Sequence, residues 1–142
     1  MVKSYTSKKQ SEMLIKLGIP IETADMRYGY VAPYDFSDRM YDGGYDEVPY
    51  PKDFLLKNPN FSANEYDSEL PAWSLAALRA CLPPGISIDG ILYVFESHNT
   101  FDNDWVYEYK FEDISAPLYS KSSNEIDAAV DMIIQLKENK MI

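Results

Sequence analysis

The chain has one thiol, Cys81, and one imidazole, His98, so nucleophilic catalysis by a Cys–His pair has a single possible composition. That chemistry needs the two groups within hydrogen-bond reach. The neighbours Ala80 and Leu82 give Cys81 the setting of a buried, inert thiol, and His98 falls in a polar stretch that reads as a surface loop. With one Cys and one His the chain lacks the ligand set of a zinc site, and neither a metal nor a cofactor is expected. Asp38, Asp42, Asp46 and Glu47 flank Gly43-Gly44, and Asp102 and Asp104 share a loop, yet neither run has the spacing of an EF-hand. Both read as solvated acidic loops. Acid–base hydrolysis needs two placed carboxyls with separated pKa values, and the 23 acidic residues single out no such pair. The glycines form neither a phosphate-binding loop nor a dinucleotide fingerprint, and no serine sits in a nucleophile elbow. The expectation leans to a protein that is not an enzyme.

Aromatic residues are the other candidates for function. Tyr34, Tyr41, Tyr45, Tyr50 and Tyr66 lie in a Tyr-, Asp- and Pro-rich segment over about 28–70 and are the candidate binding residues. Tyrosine gives large contact area at low entropic cost, so this segment is the candidate surface for a protein partner. Trp105, Tyr107, Tyr109 and Phe111 share one face of a predicted strand, which suits either a stacking platform or a core layer beneath the terminal helix.

The elements that must position these residues follow from pattern. A helix is predicted over about 7–17, capped by Thr6 or Ser7, carrying Leu14 and Leu17 on one face and stopped by Gly18. Prolines 33, 49, 51 and 59 and the Gly43-Gly44 pair exclude a long helix in 28–70, where short strands near Tyr28–Val31 and Glu47–Tyr50 are linked by long loops. Pro71 opens a predicted helix over about 72–82, ended by Pro83-Pro84-Gly85. A hairpin over about 86–111 follows, with Asp89-Gly90 as a bend in its first strand and 98–104 as its loop. Ser122 and Glu125 suggest a capping box for a helix over about 124–138, whose buried stripe is Ile126, Ala129, Val130, Ile133 and Leu136. Helices around a hairpin, without alternating βαβ units, predict a single α+β domain over residues 1–142 with a small antiparallel sheet.

Composition bounds the role. At 142 residues and 46% hydrophobic content the chain can bury one core unaided. The charge of −10 repels phosphate backbones, so nucleic acid is not an expected partner. No run approaches the length of a membrane span, and the basic start MVKSYTSKKQSE has no apolar stretch behind it, so a soluble, cytoplasmic protein without membrane association is expected. The lone cysteine fits a reducing compartment.

Three passages carry a resemblance: LIKLGIPIETADMRY at Leu14–Tyr28, LPAWSLAAL at Leu70–Leu78 and EIDAAVDMIIQL at Glu125–Leu136. Together they resemble a group of small uncharacterised proteins from gut Bacteroidetes, their phages and integrated elements, and the PAWSL string is the most specific of the three. The resemblance implies a bacterial or phage origin and a cytoplasmic setting, and it brings no activity, ligand or catalytic residue with it. The leading expectation is a non-enzymatic binding or accessory protein that contacts another protein. Two alternatives stand beside it: an acidic nucleic-acid mimic that blocks a DNA-binding protein, and an enzyme using carboxylates or Cys81.

Overall fold

The structure, a computed structural model, describes residues 4–29, 31–33, 48–51, 61–63 and 70–142. Its elements are α1 (Lys8–Lys16), a 3-10 turn (Ile21–Thr23), β1 (Met26–Gly29), β2 (Val31–Pro33), β3 (Val48–Pro51), β4 (Phe61–Ala63), β5 (Pro71–Ala72), α2 (Leu75–Ala80), β6 (Gly85–Ile88), β7 (Ile91–Asn99), β8 (Trp105–Phe111), β9 (Ile114–Ser122) and α3 (Glu125–Glu138). The α+β class and the central hairpin are as expected. The described strands form a four-stranded antiparallel meander β6-β7-β8-β9, a three-stranded sheet β3-β1-β5 and the pair β2-β4.

Local chemistry sets the helix ends. Ser7 caps α1 in a reciprocal box with Gln10. At the other end Gly18, at φ 91°, lets its own N–H reach the Ile15 carbonyl and the N–H of Ile19 reach Leu14. Leu14 and Ile19 meet in the core as a result.

The middle helix corrects the sequence reading. It starts at Leu75, not near 72, because Pro71 and Ala72 are extended and pair with Arg27 and Met26 of β1. Ser74 is the N-cap, accepting from Ala77 N–H at 3.3 Å, and Asp25 holds Ser74 in turn. Trp73 therefore lies before the helix, fully buried, where its indole N–H donates to Thr23 Oγ1 at 2.9 Å and its backbone exchanges bonds with Thr6. Arg79 ties this helix to α3 by donating to Glu125 Oε2 at 2.7 Å and to the sheet by donating to Ser97 Oγ of β7 at 3.3 Å.

The sheet also departs from expectation. Asp89 and Gly90, at φ 52° and 82°, form a two-residue turn pairing Ile88 with Ile91, so the predicted bend is a full chain reversal between β6 and β7. Strand β9 had no counterpart in the sequence reading. It carries Pro117 where its register against β8 slips between Glu108 and Lys110, and bulges and edges are where a sheet tolerates proline. Gln135 of α3 closes this edge: its amide accepts from Tyr119 N–H at 3.2 Å and donates to Tyr119 carbonyl at 2.8 Å.

Helix α3 packs on β8 and β9. Ile126, Ala129, Val130, Ile133 and Leu136 are all buried, as its stripe predicts, together with Ala128 and Met132. Its cap is Asn124, whose side-chain oxygen accepts from Ile126 and Asp127 N–H, and not Ser122, whose hydroxyl instead receives the N–H of Asn124. Tyr107, Tyr109, Ala116, Leu118 and Ser120 form the sheet side of this layer.

Candidate interaction surface

Strand alternation divides the meander into an inner and an outer face. Tyr93, Phe95 and Ser97 of β7 and Tyr107 and Tyr109 of β8 point to the helices, so Leu92, Val94, Glu96, His98, Val106, Glu108 and Lys110 point the other way. Cross-strand register arranges the outer face in rows: His98, Val106 and Lys121; then Glu96, Glu108 and Tyr119; then Val94, Lys110 and Ser115; and finally Leu92 beside Ser87. From Leu92 to His98 this face runs about 20 Å at the rise of an antiparallel strand.

Its centre is closed and its margins are open. Val106 and Glu108 are 2% and 6% exposed, whereas Leu92, Val94 and Tyr119 are 59%, 52% and 49% exposed. Glu108 stands directly opposite Glu96, a like-charge pair that would oppose pairing on its own. Three neighbours offset it: the Ser115 hydroxyl donates to Glu108 Oε1 at 2.7 Å, His98 Nδ1 lies 3.7 Å from Glu108 Oε2, and Lys110 Nζ lies 3.9 Å from Glu96 Oε2. The result is a surface with apolar side chains set among charges of both signs.

The other candidates resolve differently. Tyr34, Tyr41, Tyr45 and Tyr66 lie outside the described residues, as do Asp38, Asp42, Asp46 and Glu47. Tyr50 belongs to β3, where its backbone pairs with Arg27. The centre of the β8 aromatic row is core and not a stacking platform: Tyr107 and Tyr109 are fully buried, and the Tyr109 hydroxyl donates to the Pro83 carbonyl at 2.8 Å, while Trp105 is half-buried and Phe111, at the end of the row, is exposed. Burial holds the Tyr107 phenol well above its usual range, reinforced by its 2.6 Å hydrogen bond to the Glu125 carboxylate, and burial alone does the same to Tyr109.

Cys81 and His98 are not brought together. Cys81 packs against the helix side of the core, in a cavity of about 250 Å³ shared with Gly18, Ile19, Pro20, Thr23, Lys137 and Ile142, while His98 is on the outer face of the sheet. His98 is also a strand residue paired with Val106, not the loop residue expected. Over the cavity, the Lys137 chain passes 3.6 Å from where a β-carbon on Gly18 would sit. There the ammonium faces the C-terminal end of α1 and belongs to the last turn of α3, where carbonyl dipoles favour a cation. Among the described residues no three His, Cys, Asp or Glu side chains are grouped to hold a metal ion, and no helix is long and apolar enough to cross a membrane.

Comparison of the chain with protein-family models, with curated proteins and with solved structures finds no match. The surface that the structure displays was half legible. In the sequence Leu92 and Val94 alternate with Ile91, Tyr93 and Phe95, which puts them on a second strand face, but that face reads as open only once β9 completes a sheet whose helices pack on its other side.

Proposed function

We propose that the protein is a non-enzymatic binding protein of bacterial or mobile-element origin that contacts another protein through the outer face of its four-stranded sheet. The observation that carries this reading is the exposure of Leu92, Val94 and Tyr119 on a sheet face interleaved with Glu96, His98, Lys110 and Lys121. Apolar anchors within a polar surround are the anatomy of a contact patch. Burying the exposed half of Leu92 or Val94 is worth about 1 kcal/mol each. Tyr34, Tyr41, Tyr45, Tyr50 and Tyr66 belong to the same reading as a second contact region, by composition.

The acidic-decoy reading asks for carboxylates in phosphate-like rows on one face. On the outer face Glu96 and Glu108 alternate with His98, Lys110 and Lys121, which favours a contact surface of mixed charge.

The test is photo-crosslinking in a gut Bacteroidetes host, with the full chain carrying a photoreactive residue at position 94 or, as control, at the exposed Glu12 of α1. A polypeptide crosslinked from position 94 and not from position 12 supports the reading. Equal yields from both positions, or none from either, count against it.

A further inference from the structure

Beyond the His98 row, the β7–β8 connection carries a large apolar side chain that contributes nothing to the core: Phe101 is fully exposed. An aromatic ring of this size leaves about 200 Å² in water, an expensive state for a short loop to keep. The loop is built to keep it. Thr100 N–H donates to Asp104 carbonyl at 2.7 Å, and Asn103 N–H donates to Thr100 carbonyl at 2.9 Å. Asp104 N–H donates to Thr100 Oγ1 at 3.1 Å, and Asn99 Nδ2 donates to the Asp104 carbonyl at 3.2 Å. Asn103 takes a left-handed conformation at φ 63°, and Lys121 Nζ stands 3.8 Å from Asp104 Oδ2, linking the loop to β9.

We propose that Phe101 is an anchor that inserts into an apolar pocket of a protein partner whose rim carries Lys and Arg. This rests on the protein-binding reading above and adds the point of insertion and the partner's chemistry. The ring calls for an apolar pocket, and a preformed tip spares the ordering cost that a mobile loop would pay on docking. Aromatic side chains seated in such pockets are the residues that dominate interfaces. The basic rim follows from charge: Asp102, exposed, adjoins Phe101, Asp104 follows beside its own Lys121, and the whole chain carries −10. The same acids oppose an anionic lipid surface, so a protein pocket is the better fit for the ring.

The experiment uses the full chain with a photoreactive benzoylphenylalanine at position 101, in parallel with the position 94 protein. The expected result is one polypeptide crosslinked from both positions, through a peptide of that partner containing Lys or Arg when the crosslink comes from 101. Unlabelled wild-type protein should compete the crosslink away. Phe101→Ala, whose exposed site leaves the thermal midpoint unchanged, should compete on the order of tenfold less well or worse. A crosslink from 94 but not from 101 overturns the Phe101 anchor and spares the binding reading, as does equal competition by Phe101→Ala. Crosslinking from 101 to lipid overturns the pocket, and no crosslink from either position removes both readings.

Discussion

Trp73 has no exposed surface, and its indole N–H is spent on Thr23, so it is a fixed part of the core and not a contact residue. Trp73→Ala should therefore lower unfolding free energy by about 3–5 kcal/mol in a urea titration; a loss under about 1 kcal/mol would show that the indole is not packed as described. Its burial was legible in the apolar run around it, but its backbone state was not, because Pro71-Ala72 pair with distant Arg27 and Met26 and the Trp73 backbone bonds to distant Thr6. The buried phenols make a second prediction. Tyr107 and Tyr109 keep their protons above the ordinary tyrosine value near 10, so above that pH the unfolded chain binds fewer protons than the folded one. Their stabilisation is complete below about pH 10 and is lost as pH rises toward the folded pKa values. Tyr109→Phe should cost about 1 kcal/mol near pH 8, where it loses the bond to Pro83, and should flatten the decline above pH 10. Urea midpoints at the two pH values decide this, and a slope unchanged by the substitution would contradict it.

Elements were legible where local chemistry alone decides them. Ser7 and Gly18 bound α1 within a residue of the sequence reading, and the stripe of α3 is buried throughout. They were misread where two local solutions compete. Ser122 and Glu125 have capping-box spacing, but Asn124 stands closer and accepts from two helix N–H groups at once. Asn124→Ala should then cost about 1 kcal/mol of stability, and Ser122→Ala clearly less, measured side by side by thermal unfolding. The reverse order would restore Ser122 as the cap. Strand β9 was hidden for a different reason: Pro117 breaks the pattern of a regular strand, and only the register slip against β8 and the Gln135 amide on its edge make a strand there possible. Both are long-range facts, beyond the reach of periodicity.

At the scale of the whole molecule, helix α3 and its neighbours close the inner face of the meander, which leaves the outer face as the displayed surface, with Phe101 at its end. The fold class was legible from element order; this surface was not, since an exposed Leu92 and a buried Leu118 look alike in sequence. Nor do the tyrosines chosen from composition identify it: Tyr34, Tyr41, Tyr45 and Tyr66 lie outside the described residues, and Tyr50 belongs to β3. The most direct measurement is the affinity of the crosslinked partner, once isolated, for wild-type protein and for Val94→Asp, with thermal unfolding as the control for folding. The account predicts affinity weakened at least about tenfold with the unfolding midpoint essentially unchanged, since a charge is placed in a contact but not in the core. Equal affinity for the two proteins would contradict the assignment of the outer face as the contact surface.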